Sequence, residues 1–287
     1  MDLIDLHTHT TASDGSLTPA QVVQAAAQAG LKAVAITDHD TVAGLDMALA
    51  AGRGGEMEVV PGVEISVERR GSRAGMHILG LYLDHRHPEL VAALERLQEA
   101  RARRNPQIAQ RLRELGLAVS MEQVEALAGG GQVGRPHFAQ VLVQMGAVAD
   151  RGEAFARYLA ADAPAYVPKF RFPPDEAIAF LRRAGAVPIL AHPGLLRLRP
   201  RALEELLGQL KEQGLEGVEA YYSEHDPATE RLLVSLAARL GLVVSGGSDF
   251  HGANKPDIAL GRGLGGLRVP ATLLAGIRQR HQRLAGE

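Results

Sequence analysis

Short apolar runs followed by amphipathic stretches recur along most of this chain. Residues 3–6 (LIDL), 33–37 (AVAIT), 58–66 (EVVPGVEIS) and 76–83 (MHILGLYL) read as buried strands. Residues 187–192 (VPILAH), 217–222 (GVEAYY) and 242–247 (LVVSGG) complete a set of seven. Helical patterns lie between many of them. One is opened by Thr18 as N-cap with Pro19 at the first helical position, and another by Asp226 with Pro227. Near-continuous apolar strands alternating with helices predict a parallel sheet covered on both faces. Seven of them at this length predict an α/β fold in which a (β/α) barrel closes or nearly closes. The rhythm stops between about 95 and 167, where Arg-rich helical patterns show no strand signal. This predicts a helical insertion, residues 95–167, between barrel portions 1–94 and 168–287. The Arg run at 101–104 reads as the outer face of an amphipathic helix.

The C-terminal strand ends carry unusual chemistry. His7, His9 and Asp14 follow the first strand, and Asp38, His39 and Asp40 the second. Glu64 lies on the third, His77 on the fourth and His192 on the fifth; Asp249 and His251 follow the last. Strand-end residues of a parallel barrel converge on one face. Imidazole and carboxylate are the expected ligands of Zn, Mn or Fe. Of eleven histidines, six sit on or beside these strand positions, and packing them together with carboxylates without a cation is costly. Any one His-x-His is weak evidence; the whole set points to a metal centre.

Composition agrees with an enzyme of this kind. The chain is 46% hydrophobic and 22% charged, ordinary for a globular enzyme, and 287 residues suffice for a large core. Its net charge of -2 gives no global attraction to a DNA duplex or a membrane surface. Without cysteine there are no thiolate ligands or disulfides. The chain opens directly on a strand with no signal-like segment, and no apolar run approaches the ~20 residues of a membrane span, so the expected location is the cytoplasm.

The segments DLHTHTTASDG, TDHD, GVEIS, HILG, AHPG and GSDFH, in this order, resemble the polymerase and histidinol phosphatase (PHP) superfamily. The resemblance implies a distorted seven-stranded barrel with two or three divalent ions and phosphoesterase activity. It implies that His7, His9, Glu64 and Asp249 hold one ion. Glu64 is then shared with a second, completed by His77 and His192, while Asp14, His39 and His251 hold a third. Glu64, Asp249 and His192 are the candidates for direct participation in catalysis. Several members have histidine where this chain has Asp14; an oxygen ligand favours a harder ion, so Mn2+ is preferred over Zn2+ or Fe2+. Asp5, Asp38 and Asp40 are candidate acceptors for ligand imidazoles.

The insertion narrows the resemblance. GRPHFAQVLVQMGAV (134–148) and YVPK (166–169) are similar to the branch of nucleoside 3',5'-bisphosphate phosphatases and 5'-end-directed RNA exonucleases. Members often carry arginine soon after HPG; here Leu195 and Leu196 come first and Arg197 later. The implied substrate is a small nucleotide or short RNA. Arg135, His137 and Lys169 are the candidates for binding a second phosphate, since guanidinium and ammonium groups suit phosphate oxygens. His85 and His87 read as exposed loop residues rather than ligands. Two alternatives stay open: an amidohydrolase-type barrel, which also starts with His-x-His, and a non-catalytic PHP module.

Overall fold

The computed structural model describes residues 2–69 and 71–286. Seven strands, β1 (Ile4–Asp5), β2 (Ala33–Ile36), β3 (Glu58–Arg69), β4 (Ser72–Leu81), β5 (Val187–Leu190), β6 (Gly217–Tyr222) and β7 (Val243–Gly247), form one sheet in sequence order. The ring is nearly closed by bonds between its first and last members. Leu6 N donates to Gly246 O at 3.1 Å, and Asp249 N donates to His7 O at 2.8 Å. Alternate residues supply two apolar layers: Ala33, Ala35, Leu79 and Ile189 belong to one, Val34, Ile36, Ile78 and Leu190 to the other. That two-sided burial is why the strands read as continuous apolar runs.

One expectation is corrected. The sheet is mixed, because β4 runs antiparallel to both β3 and β5. Only residues 70 and 71 separate β3 from β4, and a parallel crossover needs a dozen residues or more. The two strands are therefore a long hairpin.

Helices flank the sheet as their caps predict. Thr18 and Gln21 form a reciprocal capping box at α1 (Pro19–Gln28), and α2 is Leu45–Gly52. Between β4 and β5 the insertion's helices include α3 (Pro88–Glu114), α4 (Met121–Ala128), α5 (Arg135–Gln144) and α6 (Arg151–Ala154). These helices carry their own apolar cluster, centred on Phe138, Ile108, Leu112 and Leu142. The chain then returns through α7 (Pro174–Arg183), α8 (Pro200–Glu212) and α9 (Pro227–Leu240) to α10 (Leu273–Ala285). Asp226 caps α9 by accepting from Thr229 N at 2.7 Å.

The insertion sits over the strand ends. Gln132 N donates to Ala12 O at 3.1 Å, Arg101 reaches the Asp40 carboxylate, and Arg151 donates to Asn254 O. The expected outward face at 101–104 is corrected accordingly: Arg101 and Arg104 are buried, while Ala102 and Arg103 are exposed. The insertion folds back on the barrel, so one face of α3 meets protein instead of water.

Closure leaves no room beside His7. A Cβ on Gly247 would lie 2.4 Å from both His7 N and His7 Cβ. Gly247→Ala must therefore push β1 and β7 apart, at a cost of about 1–3 kcal/mol for overpacking. Urea unfolding of the metal-free variant measures this; an unchanged midpoint would contradict the closure described.

Candidate metal centre

Strand periodicity places His7 and His9 on one side of the chain emerging from β1. Side chains from five other strands or the segments beyond them meet the pair. His9, Asp14, His39 and His251 form one group; His7, His9 and Asp249 a second; His7, Glu64 and His192 a third; His39, Glu64 and His77 a fourth. Within each group the candidate donor atoms lie within 4.8 Å of one another. The groups overlap and bring together all nine ligands expected from the sequence. His85 stays outside, paired with Asp46 on the surface, and His87 starts α3.

Glu64 is the hub. Its Oε1 lies 2.8 Å from His77 Nδ1 and 2.9 Å from His192 Nε2. Its Oε2 lies 2.7 Å from His39 Nδ1, 3.3 Å from His9 Nε2 and 3.4 Å from His7 Nε2. Burial alone would push the Glu64 carboxyl up; His39, His77 and His7 outweigh it and hold it well below its usual range. Burial lowers His39, but Glu64 and Asp14 outweigh that and raise it to about 9. Burial lowers His77 to about 4.

The donor set fits divalent ions. His7 Nε2, both ring nitrogens of His9 and Glu64 Oε2 are buried without a hydrogen-bond partner. His77 Nδ1 and His192 Nε2 face each other at 3.3 Å. Buried polar atoms left in this way cost free energy that a shared cation offsets.

Surrounding groups hold the donors in place. Asp5 does not accept from an imidazole; it takes Ser248 N at 2.8 Å, Ser248 Oγ at 2.5 Å and Gly261 N at 2.8 Å, locking the closure of the ring. Asp38 likewise accepts from Thr10 N, Thr10 Oγ1 and Ser13 Oγ, shaping the loop that presents Asp14. Asp40 accepts from Ser66 N at 2.7 Å, Lys169 Nζ at 2.6 Å and Arg101 Nη2 at 2.5 Å. Lys169 and Arg101 outweigh the burial of Asp40 and keep its carboxyl far below the usual range. These three aspartates face backbone amides, hydroxyls and cations, so the expectation that they orient imidazoles is corrected.

The imidazole acceptor is Glu219, which the sequence reading passed over. Its Oε1 lies 3.0 Å from His7 Nδ1, and its Oε2 accepts His192 N at 2.7 Å. A lone acid inside the apolar run GVEAYY is the signal that could have found it. Asp249 is fixed through Oδ2, which accepts Tyr222 Oη at 2.9 Å and Lys255 Nζ at 2.6 Å, leaving Oδ1 toward His9 at 3.2 Å. His225 Nε2 accepts Gly194 N at 3.0 Å and so steadies the turn after His192. Asp40, His192 and Asp249 have φ of 53°, 31° and 58°, left-handed values that non-glycine residues hold only where surroundings enforce them.

The expected phosphate-binding residues lie in the cap and the segment following it. Lys169 is buried against Asp40, and burial followed by Arg101 brings its ammonium down to about 7. Arg135 lies against the rings of Phe155 and Tyr166 and donates to Leu159 O at 2.9 Å; burial lowers it to about 10. His137 is buried, and its Nδ1 accepts Gly134 N at 2.9 Å. Arg101, which pairs with Asp40 beside Lys169, joins this cationic strip although the sequence reading gave it to solvent.

Residues 5–159 match the PHP domain family. The 5'-3' exoribonuclease Rnm of Escherichia coli is 36% identical over 264 residues, 91% of this chain and 89% of that protein. The 3',5'-nucleoside bisphosphate phosphatase of Chromobacterium violaceum is 34% identical over 249 residues, 86% of this chain and 87% of that one. A solved structure from Bifidobacterium adolescentis, assigned as a metal-dependent phosphoesterase, superimposes with a TM-score of 0.88 at 31% identity, covering 100% of this chain and 99% of that one. No helix among the described residues is long and apolar enough to cross a membrane.

Ligand imidazoles must be neutral to bind an ion. In the metal-free protein Glu64 and Asp14 raise His39 to about 9, so below that pH it carries a proton that metal loading expels; Glu219 and Glu64 shift His7 in the same direction. Calorimetric titration with Mn2+ at pH 7.5 in buffers of different ionisation enthalpy should find about one to two protons released. Apparent affinity should rise with pH and level off near 9; loading without proton release would contradict the assignment.

Proposed function

The chain belongs to the PHP domain family and is a metal-dependent phosphoesterase, and from that premise we propose that it breaks the bond between phosphorus and a ribose 3'-oxygen in small nucleotide substrates. The substrates are nucleoside 3',5'-bisphosphates and the first linkage of short 5'-phosphorylated RNA. The observation that carries this reading is a strip of buried cations, Lys169 and Arg101, bonded to Asp40 immediately beside the ligand His39. Two phosphates on one ribose require two anion sites, one metallic and one made of protein cations.

His7, His9, Glu64 and Asp249 would hold one ion, Glu64 with His77 and His192 a second, and Asp14, His39 and His251 a third. Bound divalent ions lower the pKa of water and neutralise phosphoryl oxygens. The oxygen ligand Asp14 supports Mn2+ in this role. Glu64, Asp249 and His192 stand at the reacting phosphate. Glu219 keeps the His7 Nε2 and the His192 turn aimed at it. A water oxygen forms the new bond to phosphorus, the P–O3' bond breaks, and the departing oxygen gains a proton. Position and charge dominate such transfers, so rigid placement of these side chains is most of what the protein must supply.

Lys169, Arg135 and His137 would bind the second phosphate, with Arg101 beside them. The same pocket suits the 5'-phosphate of an RNA end, which unites the two relatives' substrates on one site. An amide-opening barrel would leave the Asp14, His39 and His251 group without a use. Nucleotides of this kind arise in the cytoplasm, where we place the protein.

Lys169→Met tests the second anion site. Charge-assisted contacts are each worth about 1.5–3 kcal/mol, so kcat/KM for a 3',5'-bisphosphate should fall about ten- to a hundredfold at ~1.4 kcal/mol per decade. Hydrolysis of p-nitrophenyl phosphate, which lacks the second phosphate, should be unchanged. Equal losses on both would move Lys169 to a supporting role, and a parent enzyme without preference for the bisphosphate would overturn the substrate.

A further inference from the structure

A cavity of about 820 Å3 flanks the metal face, walled by the β3–β4 hairpin, the segment around residues 168–175 and α8. We propose that it is a product-side groove holding the nucleotide downstream of the scissile phosphate when the substrate is RNA; this rests on the nucleotide reading above.

The first argument is position. The metal face is not equally open on all sides. The side chains of His7 and His9 are fully buried and Glu64 is 1% exposed, whereas His77 is 30%, His39 20% and His192 13% exposed. The centre therefore opens past His77, His39 and His192, and the groove lies beside the most exposed of them, His77, through its neighbour Met76. Met76, next to His77, lines it; Arg69 in its wall donates to Leu196 O at 3.0 Å, on the turn that follows His192.

The second argument is connectivity. In a bisphosphate, the reacting phosphorus carries only free oxygens besides the ribose 3'-oxygen. In RNA, one of those oxygens bears the next nucleotide, which must leave the metal face through its open side.

The third argument is charge. Arg69 and Arg171 line the groove and are partly buried, while Glu68, Asp175 and Glu212 line it and are exposed. Cations in the wall with carboxylates at the rim suit a polyanion that enters and stops. The volume falls in the range that encloses one compact ligand rather than an extended strand. The groove thus takes a short RNA footprint, and the exposed carboxylates repel phosphates beyond it.

The test uses exposed positions on α8 that line the groove but have no part in bisphosphate hydrolysis. In Gln209→Glu/Gln213→Glu, two added charges should lower kcat/KM for a 5'-phosphorylated RNA trinucleotide about five- to tenfold and steepen its salt dependence. Turnover of the 3',5'-bisphosphate should stay within twofold of the parent, by about the precision of such comparisons. Conversely, Asp175→Asn/Glu212→Gln should improve longer RNAs relative to the trinucleotide. Binding of a fluorescent RNA trinucleotide, read by anisotropy, should weaken in the first variant and so reports on the groove independently of turnover. Unchanged RNA binding and turnover in both variants, or equal changes on RNA and bisphosphate, would overturn the groove. A parent that binds the RNA but hydrolyses neither substrate would overturn the nucleotide reading while sparing the groove.

Discussion

Glu64 is a fully buried carboxylate whose two oxygens face five imidazoles. Everything around it follows from keeping that arrangement tolerable. A carboxylate can satisfy only some of these nitrogens, and several ring nitrogens remain without partners. Shared cations resolve the conflict, since each imidazole lone pair and each carboxylate oxygen then meets positive charge. Without metal, the neighbouring carboxylates shift His7 and His39 above the ordinary imidazole range.

Holding donors this close to one another requires a rigid scaffold. The ring of strands supplies it by passing β1 against the glycines of β7. Asp5 bonds the two ends of the sheet together from inside, and Asp38 shapes the loop that bears Asp14. Left-handed backbone at Asp40, His192 and Asp249 sits at the strand ends where the site is built. Each is pinned by named bonds: His192 N to Glu219, Asp249 N to His7 O, and the Asp40 carboxylate to Ser66, Lys169 and Arg101. Strain of this sort persists where surroundings over-determine it. The Asp40 contacts also couple the cap to the barrel, so the cationic strip and the metal face share one support.

Much of this was legible in the sequence for physical reasons. Two-sided burial makes strands read as continuous apolar runs, and polar residues at their ends stand out against them. His7, His9 and Asp249 were visible on that ground. Strand direction was not legible, because apolar content alone does not separate a hairpin from a crossover; the short connection at residues 70–71 carried that information. Glu219 was missed because it lies inside a strand rather than at its end. Arg101 was misplaced because helical periodicity shows two faces of α3 but not which neighbour the insertion will fold against. The roles of Asp5 and Asp38 depend on contacts with residues as distant as Ser248 and Gly261, which no local pattern encodes.

The central claim is that the nine converging side chains are one multinuclear metal centre organised by Glu64. Anomalous diffraction from crystals of the Mn2+-loaded protein tests it most directly. The account predicts two or three strong anomalous peaks among these side chains, with Glu64 contacting two of the ions. A single peak away from Glu64, or no peak within reach of His7 and His9, would contradict it.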